Sequence, residues 1–221
     1  MLPDSSTRTA LSLVTDFLTR IGMPWRWAEG ASGFIPGVDI RDGELLVAPT
    51  ARASGLLHEA GHLAILPGDF RPLAQRDVGG VAKLMLRSID FSLDPDGPLQ
   101  RAALQCSDPE ATAWAWAAGV HLDLPPEVII MDDEYGGDGR MLRMQLKSRA
   151  YAGINGIAHA GFCAVRAGAF ATMRGLKVYP ELNFWLQQDF DHQGAAALRA
   201  KWHEPHPMVT VNAPLGLQSV D

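Results

Sequence analysis

Cysteine is scarce. Two thiols, Cys106 and Cys163, in 221 residues cannot make a disulfide framework, and both lie in apolar runs, so they are expected as buried free thiols. Positive charge is not in surplus either. The formal net charge is −6, which speaks against a nucleic-acid surface, since such surfaces need a basic stripe. Long apolar runs are missing: no stretch reaches the ~18 uncharged apolar residues of a membrane span. The opening Met1-Leu2-Pro3-Asp4-Ser5-Ser6 lacks the basic start and apolar core of a secretion signal. The expectation is a cytoplasmic protein that engages neither membrane nor nucleic acid. No repeat or linker divides the chain, so residues 1–195 are expected as a single domain and 196–221 as a C-terminal tail.

What the chain does have is hydrophobic periodicity. Leu11, Leu13, Val14, Phe17, Leu18 and Ile21 recur at helical spacing and predict a helix over 5–21, stopped by Gly22-Met23-Pro24. Residues 25–43, rich in Gly, Trp and Pro, predict turns and short strands. The apolar run 44–48, between Asp42-Gly43 and Pro49, predicts a strand. A helix follows over 50–66, then shorter helical pieces near 81–86 and 99–104, and an Ala- and Trp-rich helix over 108–120. Residues 132–139 predict an exposed acidic loop. A second long helical stretch is expected over 141–173, where Ala152, Gly153, Gly156, Ala158 and Gly161 suit close helix packing. The sum is an α+β fold, mainly helical, with a small sheet ahead of helix 50–66. Core motifs occupy 40–126, and an extra helical region covers 141–190.

Helix 50–66 carries His58-Glu59-Ala60-Gly61-His62. Positions i and i+4 of a helix share a face, so the two imidazoles can reach one ion. Zinc takes His nitrogen and, when catalytic, keeps a place for water. Glu59 is displaced around the helix, where it can take a proton from that water without ligating. Gly61 costs the helix about 1 kcal/mol against Ala, which implies a close neighbour at that position.

Zinc needs a third protein ligand. No His-x-x-Gly-x-x-His follows His62, which excludes the metzincin arrangement. The first candidate is Glu110, in the first turn of helix 108–120, and Asp108 is the second. Helix 108–120 is apolar nearly all round and so must be buried, which puts a carboxylate at the edge of the core, where it is expensive unless paired or metal-bound. Ser107-Asp108-Pro109-Glu110 also reads as a capping box, a purely structural role for Glu110. His159 and Tyr151, on the late helical stretch, are candidates for stabilising an oxyanion. His203 and His206 resemble ligands, but Pro205 breaks the helix that would align them.

The segment Gly43 to Pro49, the motif Leu57 to Ile65, and Glu110-Ala111-Thr112-Ala113 followed by Trp116-Ala117 together resemble the ImmA/IrrE family of zincin-like metallopeptidases. The resemblance implies His58, His62 and Glu110 as zinc ligands and Glu59 as general base. It also implies a substrate strand paired alongside residues 44–48, as in strand-addition peptide binders. Many members cleave a bound transcriptional regulator in the bacterial cytoplasm, so the implied substrate is a peptide or regulatory protein. The alternative is a zincin-like sensor or partner-binding protein that holds zinc with little or no peptidase activity.

Overall fold

A computed structural model describes residues 5–76, 78–92 and 95–190. The expected tail over 196–221, with His203 and His206, lies outside the described residues. Helix α1 (Ser5–Arg20) buries Leu11, Val14, Phe17 and Leu18, the stripe that its sequence period sets. It ends in a Schellman motif. Met23 N donates to Leu18 O at 3.0 Å and Gly22 N to Thr19 O at 3.1 Å, with Gly22 at φ 76°, a conformation that glycine adopts without steric cost.

Strands β1 (Trp25–Trp27), β2 (Val38–Arg41) and β3 (Glu44–Val47) form a sheet in the order β1-β3-β2. β2 and β3 are an antiparallel hairpin in which Arg41 faces Glu44. Asp42 and Gly43 both have positive φ, the backbone of a two-residue type I′ turn. β1 pairs parallel with β3, so β3 is bonded on both edges. A substrate strand expected alongside 44–48 therefore finds no free edge there; the sheet's open edges belong to β1 and β2.

Helix α2 (Ala53–Ile65) runs through the core, and every residue in it except His62 is buried. Its C-terminal carbonyls are met by Arg71, whose guanidinium donates to Leu63 O at 2.8 Å, Leu66 O at 3.2 Å and Gln187 O at 2.9 Å. Helix α5 (Asp108–His121) packs on α2, and its run from Glu110 to Gly119 is buried throughout, as an all-round apolar helix requires. A Cβ at Gly61 would collide with the Ala111 carbonyl and lie 3.0 Å from Ala111 Cα. Ala111 is thus the close neighbour that Gly61 implied. Helices α3 (Val78–Ser88) and α4 (Pro98–Leu104) occupy the expected 81–86 and 99–104 regions. α6 (Pro126–Ile129) follows α5.

The single long helix expected over 141–173 is instead three: α7 (Gly139–Lys147), α8 (Ala152–His159) and α9 (Ala169–Met173). The first break is another Schellman motif, with Ala150 N donating to Gln145 O at 2.8 Å and Arg149 N to Leu146 O at 3.1 Å. Arg149 takes the left-handed place at φ 58°, so no glycine marks the stop. The small residues do serve close packing. α8 lies on α5 with Gly153 against the Pro109 backbone and Gly156 against the Glu110 side chain. Cys106 and Cys163 are buried free thiols. No helix among the described residues is long and apolar enough to cross a membrane.

Candidate metal centre

His58 and His62 stand one turn apart on α2, and the start of α5 faces them. His58 Nε2 lies 3.2 Å from His62 Nε2. Asp108 Oδ1 is 3.0 Å from His62 Nε2 and 3.8 Å from His58 Nε2. The circle through these three donor atoms has a radius of about 2.0 Å, close to the ~2.0–2.2 Å reach of zinc to nitrogen or carboxylate oxygen. The three residues form a group able to hold a metal ion. Contacts first with His58 and then with His62 hold the Asp108 carboxyl well below the ordinary carboxylate range.

Glu110, placed first as third ligand from the sequence, is not in this group; Asp108, placed second, is. The Glu110 carboxylate accepts from Ser107 N at 3.3 Å and from the Ser107 hydroxyl, and the capping box is complete. The reason is rotational. At about 100° per residue, Asp108 and Glu110 project from nearly opposite sides of α5. Ala111, pressed on Gly61, turns the Asp108 side towards α2 and the Glu110 side towards Gly156 of α8.

Glu59 is buried and makes no hydrogen bond among the described residues. Burial pushes its carboxyl pKa up to about 7; the neighbouring His58 opposes this, and Asp108 adds to it. A carboxyl poised there can exchange a proton near neutral pH.

The His58 ring is supported on its other nitrogen. Tyr135 Oη is 3.1 Å from His58 Nδ1, Thr112 Oγ1 is 3.4 Å from it, and the two hydroxyls are 3.1 Å apart. Sequence reasoning missed both residues. Thr112 had a signal, being a polar residue in an Ala/Trp run at i+4 from Asp108. Tyr135 had none. Its segment, expected as an exposed acidic loop, is tied down by Glu134, whose carboxylate accepts from Ser54 Oγ at 2.5 Å and Met131 N at 2.9 Å. An exposed Arg52–Asp133 pair at 3.0 Å lies beside it. Tyr135 itself adopts φ 55°, uncommon for a bulky residue, and this aims its hydroxyl inward.

A cleft of about 680 Å³ opens over the group, lined by Phe34, Pro36, His58, Asp108, Tyr135 and Tyr151 among others. Tyr151, the N-cap residue of α8, is therefore brought to the site. His159 is not. It ends α8 about 12 Å along the helix from Tyr151, half exposed, with Nε2 3.9 Å from Asp96 Oδ1. Comparison with protein-family models, curated proteins and solved structures finds no match to this chain.

Proposed function

We propose that the chain is a zinc-dependent peptidase of the zincin kind, built like the ImmA/IrrE peptidases that its motifs resemble. The observation carrying this is the convergence of His58 Nε2, His62 Nε2 and Asp108 Oδ1 about a common point at zinc-ligand distance. Two imidazoles and a carboxylate suit zinc better than calcium or magnesium, which favour all-oxygen sites. Zinc bound there would polarise a carbonyl and lower the pKa of a water to about 7.

The chain's own residues supply the rest. Glu59 accepts the proton of the attacking water and returns it to the leaving amine, a shuttle suited to a carboxyl near pH 7. Tyr151, at the cleft wall, donates to the carbonyl oxygen as negative charge grows on it. The peptide lies in the cleft rather than along β3, whose edges are both taken. Phe34 at the lip is 87% exposed, an apolar surface that favours an apolar substrate side chain. The proposed substrate is a peptide segment of a regulatory protein.

The test pairs elemental analysis with mass-spectrometric cleavage of a peptide library, for the wild type and Glu59→Gln. Both proteins are expected to hold one zinc per chain, and only the wild type to cleave. Wild type left without zinc after zinc addition and dialysis refutes the metal reading. A zinc-loaded wild type that cleaves nothing refutes the peptidase and leaves a zinc-bearing partner-binding protein.

A further inference from the structure

We propose that Tyr135 and Thr112 are positioning residues that hold the ring of the ligand His58 through a braced pair of hydroxyls. The proposal rests on the metal-binding part of the reading above and not on the peptidase step.

The first link follows from counting protons. Ligation through Nε2 leaves the imidazole proton of His58 on Nδ1. That nitrogen then donates to the nearer oxygen, Tyr135 Oη at 3.1 Å rather than Thr112 Oγ1 at 3.4 Å. Tyr135 and Thr112 each carry one hydroxyl proton, and one of the two bridges the 3.1 Å between their oxygens. The two hydroxyls thus brace each other and close a triangle with Nδ1, which fixes the plane of the His58 ring.

Two independent features support a dedicated role. The support is selective: His62 Nδ1 is buried with no hydrogen-bond partner, while His58 Nδ1 has two oxygens in reach. The backbone is also bent to deliver it. Tyr135, Gly136 and Gly137 have φ of 55°, 71° and 94° in succession, and left-handed backbone at a bulky residue persists only where its surroundings enforce it. The Glu134 bonds to Ser54 and Met131 are that enforcement, anchored on the first turn of the helix that bears His58.

The experiment uses the full chain with Tyr135→Phe, Thr112→Val and Thr112→Ser. Zinc affinity is measured by competition with a chromophoric chelator, and the His58 Nδ1–H signal by NMR. Thermal unfolding is followed in parallel. Y135F is expected to weaken zinc binding by about 10–100-fold, the usual cost of losing a ligand's outer partner, and to move the His58 proton signal. T112V is expected to move the His58 signal as well, with T112S restoring it. Y135F with wild-type zinc affinity and an unmoved His58 signal overturns the proposal. So does a T112V whose only defect is a lower unfolding temperature. If the wild type cleaves no peptide, the peptidase reading fails alone, and the affinity and NMR readings still decide the support of His58.

Discussion

Replacing Glu59 by Gln is expected to stabilise the metal-free protein in a strongly pH-dependent way. Burial raises the carboxyl pKa from an ordinary 4.5 to about 7. A pH unit of such difference corresponds to about 1.36 kcal/mol, so ionising Glu59 inside the fold costs about 3 kcal/mol. The sign is that of a group whose folded pKa is raised. Below pH 4.5 the side chain is protonated in both states and costs nothing extra. Between pH 4.5 and 7 the unfolded chain ionises while the fold resists, and stability is lost; above 7 the loss levels off. Gln is neutral throughout. The cost of burying its amide is the same at both ends of the range and cancels when two pH values are compared. Urea unfolding of both proteins in chelator at pH 4.5 and pH 8 should show the advantage of E59Q growing by about 3 kcal/mol at the higher pH. Zinc should shrink that growth, because a cation near the carboxylate favours its ionised form. An advantage that changes by less than about 0.5 kcal/mol between the two pH values would refute the buried, unpaired carboxyl on which the proton shuttle depends.

Asp108→Asn should lower zinc affinity by more than about 100-fold, beyond the range of outer-partner losses, whereas Glu110→Gln should leave it nearly intact and cost about 1 kcal/mol of stability through the capping box; chelator competition and urea unfolding separate the two. Gly61→Ala drives a methyl into the Ala111 carbonyl, so it should destabilise by about 1–3 kcal/mol and also weaken zinc binding, since it pushes the helix bearing Asp108 away from His62. Arg71→Met strips three backbone carbonyls of their donor and should cost on the order of 3 kcal/mol in urea unfolding without changing zinc affinity measured under native conditions.

Where local chemistry and global packing agreed, the sequence was readable. Gly22 after an amphipathic run, and Asp42-Gly43 before an apolar one, are stops that the backbone itself enforces. α1 and β3 accordingly fall where their patterns put them. The break after α7 was not readable, because Arg149 holds a position that usually advertises itself with glycine. The order of strands was hidden for a different reason. Residues 25–27 reach β3 by a parallel pairing, and nothing in a three-residue strand announces its partner.

The third ligand shows most clearly what was present in the chain but not used. Asp108 and Glu110 have the same chemistry and share the first turn of α5, so residue type cannot choose between them. Rotation of the helix can. Ala111 and Thr112 lie within about 60° of Asp108 around α5, and Glu110 about 160° away from it. The buried Gly61 between the two His of α2 demands a neighbour small enough to bring backbone against backbone. If Ala111 is that neighbour, as it is, then the face pressed on α2 is the one bearing Asp108 and Thr112. One residue becomes the third donor of the group and the other a support of His58. Glu110, on the far side, is left to cap its own helix beneath Gly156. The glycine that weakens the motif helix thus fixes which carboxylate meets the two imidazoles, and the same contact delivers the hydroxyl that orients one of them.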